Sequence, residues 1–330
     1  MGEVLGRTQA KAGGTMKKKI LLTLLIISYF LTGCYTYKPL RISSNQLKDF
    51  TKVELPIFFE HAGCRSMPYF YIQIKTNKIP ISLDTGSSQA VISLPGYMVK
   101  QMNVKYTGES SRTMDVHSRL RTKRHFTIPK IKLGNLVLTN IPGINANRRH
   151  GNRGLTGLPF IRNFNVFLDY KSRKMILYNK KVYPAYLKNG KWKSIYFVED
   201  SRKNIILQTK IGFKGKKYNA QFVLDTGCIL TYKNKSYGLI IYQSNFTDLV
   251  LNDRLKQYVK NNTFANKRGK YPKKSVYWKE DNIQIDGIHF GPMSFVFINL
   301  FTPCDGLLGH NFFIKHAVFI DFTNKKLYVK

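Results

Sequence analysis

Two carboxylates occupy matched positions in this chain. Residues 79–87 read IPISLDTGS and residues 220–228 read AQFVLDTGC, so Asp84 and Asp225 each close an apolar run and each precede Thr and Gly. A carboxylate at the end of a buried strand is costly unless it is hydrogen-bonded or paired. Two such loops related by a twofold axis would bring the carboxylates together. Like charges at that distance cannot both ionise, so they share one proton. One member can then take a proton from water while the other gives one to a carbonyl oxygen. The seven histidines show no HExxH and no metal-ligand spacing, so neither a metal nor another cofactor is expected.

The elements that must hold these residues are themselves repeated. Residues 154–170 read GLTGLPFIRNFNVFLDY and residues 306–322 read GLLGHNFFIKHAVFIDF, with no gap between Gly154/Gly306 and Asp169/Asp321. The lead-ins match as well, LPIFFE ending at Glu60 and SIYFVE at Glu199. Two copies are too few for a solenoid, but they suit a two-lobed body with a pseudo-twofold axis, one lobe over 52–191 and the other over 192–330. Alternation predicts strands over 70–75 and 205–211, and short buried strands over 79–83 and 222–224 running into the Asp-Thr-Gly turns. Gly-containing turns between apolar strands are expected within 131–138 and 283–290. Helices are few: one over 95–102, with Pro near its start, and an amphipathic one over 247–260. The fold class is therefore all-β. Asp169 and Asp321 end strands in matching apolar settings and read as turn residues. His310, directly after Gly309, reads as local structure.

Taken together, the two Asp-Thr-Gly triplets and the two Gly-Leu-x-Gly segments resemble an aspartic protease of the pepsin/retropepsin type, with both lobes in one chain. The resemblance covers roughly residues 55–330, and the Val-Phe-Leu/Ile-Asp-Tyr/Phe continuation is closer to bacterial retropepsin-like proteins than to pepsin. It implies a bilobal pepsin-like fold, a peptide or protein substrate and hydrolysis of peptide bonds by water. Asp84 and Asp225 would be the catalytic pair. Thr85 and Thr226 would cross-brace the loops, Gly86 and Gly227 would leave room for the turns, and Ser87 would donate a hydrogen bond to Asp84. A flap is implied around Thr113–Ser118, with Tyr106 as a weak candidate for its tyrosine. Two departures stand out. Cys228 takes the place usually held by Ser or Thr, and a thiol is the weaker donor. Thr156 replaces an apolar residue in the first Gly-Leu-x-Gly segment. A rival of another class is a non-catalytic lipoprotein whose cleft binds a peptide or an envelope polymer.

Upstream, Met16-Lys17-Lys18-Lys19 and the apolar run 20–31 read as an export signal, too short to span a bilayer. The run ends Leu31-Thr32-Gly33-Cys34, which resembles the bacterial lipobox and makes Cys34 a lipidation site. Residues 1–33 would then be removed, with Met16 a candidate start, and 34–51 would tether the body to the membrane. Tyr35, rather than Asp, follows the cysteine; under the enteric sorting rule this favours the outer membrane, with the globular part periplasmic or surface-exposed. The chain carries 54 Lys and Arg against 18 Asp and Glu, a net +36 over 330 residues. That surplus suits an anionic membrane surface, and no nucleic-acid motif accompanies it. Of the four cysteines, Cys228 and Cys304 flank the second repeat's two motifs and are candidates for a disulfide in an oxidising compartment.

Overall fold

The apolar runs that end in Asp84 and Asp225 become central strands of two matching sheets. A computed structural model of the chain describes residues 42, 44–60, 66–88, 91–114, 120–146, 152–201, 203–213, 216–232, 235–241, 276–286, 288–298 and 304–330. Cys34, Cys64, the export signal, the 247–260 helix and half of the tether (34–41 and 43) lie outside the described residues.

The first repeat opens with β1 (Lys52–Pro56), followed by β2 (Tyr69–Ile74), β3 (Asn77–Leu83) and β4 (Ile92–Pro95). A short helix, Gly96–Gln101, follows Pro95. Then come β5 (Tyr106–Met114), β6 (Leu120–Leu133), β7 (Leu136–Ala146), β8 (Gly154–Thr156), β9 (Asn165–Asp169) and β10 (Lys174–Tyr178). The second repeat supplies β11 (Lys193–Glu199), β12 (Ile205–Phe213), β13 (Lys216–Leu224), β14 (Leu230–Tyr232), β15 (Lys235–Ile241), β16 (Val276–Ile285), β17 (Ile288–Ile298), β18 (Gly306–Leu308), β19 (Val318–Asp321) and β20 (Lys326–Val329). The described residues are mostly strand, with few and short helices, as an all-β chain requires.

The first sheet runs β2-β3-β8-β4-β7-β6-β5, and the second repeat gives the same order, β12-β13-β18-β15-β17-β16. In each, the strand that ends at the aspartate pairs in parallel with the short strand of the Gly-Leu-x-Gly segment: Leu83 beside Thr156, and Leu224 beside Leu308. The β6–β7 turn carries Gly134 at φ 55°, and the corresponding β16–β17 turn places Asp286 at φ 51°. A positive φ favours Gly, while Asp and Asn tolerate it.

The two repeats are joined by strands that pair across them, in the order β1-β10-β9-β19-β20-β11. At its centre β9 and β19 run antiparallel, with Phe167 facing Phe319. These two phenylalanines are counterparts in the repeat alignment, so a pseudo-twofold axis passes between them. Alternation along the strands then sorts the side chains. Val166, Leu168, Val318 and Ile320 enter the main core, which draws on both repeats and includes Phe70, Phe126, Phe222, Phe295 and Phe312. Phe167 and Phe319 face the other way, into a smaller cluster with Tyr178, Leu187 and Trp192.

Asp169 and Asp321 cap the turns that follow β9 and β19. Asp169 accepts from the N–H groups of Lys171 and Ser172 and from the Ser172 hydroxyl. Asp321, fully buried, accepts from the N–H groups of Thr323 and Asn324 and from the Asn324 amide. Each turn includes a left-handed residue, Arg173 or Lys325. Asp321→Ala leaves three donors short of a partner and should cost about 2–3 kcal/mol. The more exposed Asp169→Ala should cost less, and urea unfolding of the two variants measures the difference.

The tether is shorter than the polar composition of 34–51 suggests. Ile42 is buried and its N–H donates to Asn163 Oδ1. Gln46 exchanges two hydrogen bonds with Thr139, and Phe50 sets its ring 5.8 Å from Phe164. A few apolar residues spaced along a polar segment suffice to dock it, and such spacing has no secondary-structure period to betray it.

Candidate active site

The Asp-Thr-Gly loops meet across the pseudo-twofold axis and hold each other by four crossed hydrogen bonds. The Thr85 N–H donates to Thr226 Oγ1 and the Thr226 N–H to Thr85 Oγ1, both at 2.9 Å. The Thr85 hydroxyl donates to the Leu224 carbonyl at 2.8 Å, and the Thr226 hydroxyl to the Leu83 carbonyl at 2.9 Å. Both threonines are fully buried. Each hydroxyl therefore accepts one bond and donates one, to the residue immediately before the opposite aspartate.

This brace places the carboxyl groups together. A methyl group built on Gly86 would lie 2.5 Å from Asp225 Cγ, and one on Gly227 would lie 2.5 Å from Asp84 Oδ1. Only glycine lets each loop pass this close to the opposite carboxyl. Main-chain donors complete the setting. The Gly86 N–H reaches Asp84 Oδ1 at 3.0 Å, and the N–H groups of Gly227 and Cys228 reach Asp225 Oδ1 at 2.8 and 3.1 Å.

Burial raises the proton affinity of both carboxyls. Asp84 is held well above the usual carboxylate range by burial first, then by the charge of Asp225 and the hydrogen bond between them. Asp225 is also raised by burial, but the N–H groups of Gly227, Cys228 and Gly86 and the bond with Asp84 pull against that. Both carboxyls are thus biased towards holding a proton, Asp84 the more strongly. The pair titrates as a unit.

Each loop is backed by its Gly-Leu-x-Gly segment. The Asp84 N–H donates to the Thr156 carbonyl and the Asp225 N–H to the Leu308 carbonyl, both at 2.9 Å. Gly157 and Gly309 lie so close to the Ser87 and Cys228 carbonyls that any Cβ would collide with them. These two glycines matter as much to the loops as Gly86 and Gly227, and their recurrence in the repeat is the signal that marks them. Thr156 is accommodated because its hydroxyl donates to the Val91 carbonyl at 2.7 Å.

Ser87 donates to Asp84 through its backbone N–H. One expectation needs correcting. Cys228 and Cys304 are separate buried thiols and form no disulfide. Cys228 belongs to the main core, while Cys304 packs with Ile206 and Val223 and donates to the Gly306 carbonyl. Both lie close to the repeat motifs in sequence, yet they pack into different clusters. Tyr106 lies at the root of the β5–β6 hairpin, its ring 6.3 Å from Phe126 and capped by the Arg124 guanidinium at 4.5 Å. The polar stretch 113–118 falls at the hairpin's end, where 115–119 lie outside the described residues.

No protein-family model and no curated protein matches the chain. The Cys228 thiol is kept protonated by burial and by the charges of Asp225 and Asp84. Among the described residues, no three His, Cys, Asp or Glu side chains gather to hold a metal ion, and no helix is long and apolar enough to cross a membrane.

Proposed function

We propose that the chain is an aspartic endopeptidase with a bilobal pepsin-like fold, acting through Asp84 and Asp225. The reading rests on one observation above the rest: two half-buried carboxyl groups of raised proton affinity are brought together by a symmetric brace made by the residues that follow them. A binding module has no need of two adjacent acids that cost free energy to bury. In the mechanism, ionised Asp225 takes a proton from a water molecule as that water attacks the peptide carbonyl carbon. Protonated Asp84 gives its proton to the carbonyl oxygen. The resulting tetrahedral diol collapses with proton transfer to the amine, the C–N bond breaks, and the pair regains its single shared proton. The substrate would lie extended between the lobes beneath the β5–β6 hairpin, its backbone paired with strand edges. Lipidation at Cys34 and anchorage to a bacterial envelope membrane belong to the same reading.

Cleavage of a peptide library by a soluble form starting after Cys34, read by mass spectrometry from pH 3 to 8, tests it. Cleavage that depends on both aspartates supports the reading. A folded protein that cleaves nothing favours the peptide- or polymer-binding lipoprotein.

Cys228 tunes the pair within this scheme. Cys228→Ser supplies a hydroxyl where a weakly donating thiol stood. A hydrogen bond from it to Asp225 would stabilise the ionised form, so the pH–rate profile should move towards acid by about one pH unit. A profile that stays in place would mean the side chain at 228 does not reach the carboxyl pair.

A further inference from the structure

The repeat offers an internal control for one buried residue. The ungapped alignment sets His310 opposite Leu158. Each is the first residue of a four-residue helix, Leu158–Ile161 or His310–Phe313, and each is buried. Each also donates its backbone N–H to the carbonyl of the residue that follows Asp-Thr-Gly: Leu158 to Ser87 at 2.8 Å and His310 to Cys228 at 3.1 Å. The niche that takes an isobutyl group in one repeat takes an imidazole in the other.

That niche is not built for an imidazole. Its walls include the Phe59 ring at 6.1 Å and the Tyr170 ring at 5.5 Å. Among the described residues, neither Nδ1 nor Nε2 has a hydrogen-bond partner. A neutral imidazole carries one donor and one acceptor, and leaving both unmet in the interior costs free energy that leucine would not. Among the described residues, the titratable and charged groups around it are few. Tyr170 presents its ring from the segment after β9. Glu60, next to Phe59, is engaged by Arg153. Asp225 and Cys228 stand on the loop that His310 holds, and His316 lies against Phe312 farther along the chain.

We propose that His310 is a positioning residue for the Asp225 loop that works only as the neutral imidazole, so that its protonation sets the acid limb of the protein's activity. The activity part rests on the protease reading; the folding part stands without it. Burial lowers the His310 pKa from 6.5 to about 4. Between those values the unfolded chain holds a proton that the folded chain excludes, so stability falls as pH falls through this window. Below about 4 the folded ring must accept the proton beside Phe59 and Tyr170 or leave the niche. Leaving draws on the same residue whose N–H holds the Cys228 carbonyl, and the Cys228 N–H in turn holds Asp225. The carboxyl pair has the opposite dependence, because its raised proton affinity favours the folded state towards acid. The two titrations together confine the best range to mildly acidic pH.

The test compares the wild type with His310→Leu, which copies the first repeat. Urea unfolding at pH 7, 5.5 and 4 reads the folding part. The variant's advantage in the folding equilibrium constant should grow by about 100-fold between pH 7 and pH 4. An advantage that stays constant over that range overturns the proposal, whether or not any peptide is cleaved. Peptide cleavage reads the activity part: the ratio of activity at pH 4 to that at pH 6 should be higher in the variant. An unchanged ratio alongside the pH-dependent stability gain would overturn the positioning role. Absence of cleavage by the folded wild type at every pH would instead remove the protease reading and the activity part that depends on it. Should His310→Leu fail to fold, NMR titration of the wild-type imidazoles, assigned with His310→Gln, replaces it. A His310 resonance that titrates near 4 supports the proposal, and one that titrates near 6.5 overturns it.

Discussion

Asp84→Asn and Asp225→Asn should each reduce peptide cleavage by about 10³–10⁴-fold, while neither variant loses stability at neutral pH. The activity loss follows from the sharing of one proton. An amide at either position removes the base or the acid, and the remaining carboxyl no longer has a partner to set its protonation. The stability effect has a definite sign. Both carboxyls bind protons more tightly in the folded chain than the ordinary value of 3.8. Their contribution is most favourable at low pH and is lost as pH rises through the raised range, because the unfolded chain then holds fewer protons than the folded one. Asn removes that penalty. Thermal unfolding should therefore show the Asp84→Asn variant gaining on the wild type as pH rises from 4 to 7. Each tenfold of excess proton affinity corresponds to about 1.4 kcal/mol. A variant that loses cleavage and melts lower than the wild type at pH 7 would point to a structural role for Asp84 instead. Loss of activity with gain of stability is the signature of a strained functional pair.

The parts of this arrangement that repeat were legible in the sequence, because a repeat carries its own alignment. Asp84 and Asp225 stood out for that reason, as did the strands that end at them and the Gly-Leu-x-Gly segments that back them. The turn roles of Asp169 and Asp321 followed from their matched apolar settings. What joins the repeats was not legible. Alternation in β9 and β19 tells which side chains share a face, but not that Phe167 would lie opposite Phe319; pairing is a choice among partners far apart in the chain. The docking of Ile42 and Phe50 was hidden by their polar neighbours. Cys228 and Cys304 looked adjacent because both sit near motifs that do meet, yet they pack into different clusters. His310 lies between these cases. Its mismatch with Leu158 is visible in the alignment, whereas the lack of partners for its ring is visible only in the folded chain.

Thr226→Val should be strongly disruptive while leaving both carboxyls in place. Valine keeps the shape of threonine but can neither accept from the Thr85 N–H nor donate to the Leu83 carbonyl. Two buried backbone groups are left without partners, at about 1–3 kcal/mol each, so the variant should lose about 2–5 kcal/mol in urea unfolding. Thr226→Ser keeps both bonds and should recover most of that loss. Thr85→Val should cost a similar amount, since its bonds to Leu224 and Thr226 have nearly the same lengths. The two changes break different bonds, but loops loosened by the first loss hold the remaining pair less firmly, so the double variant should cost less than the sum of the two. Cleavage should fall by more than unfolding alone explains, about 10²-fold at a pH where the variant remains folded, since the loops that carry the carboxyls are no longer fixed to each other. Strict additivity of the two valine substitutions would mean that the two pairs of cross-repeat bonds act independently of each other. Sub-additive loss of stability together with a shared loss of cleavage would mean that the brace is the physical link between the fold's symmetry and its chemistry.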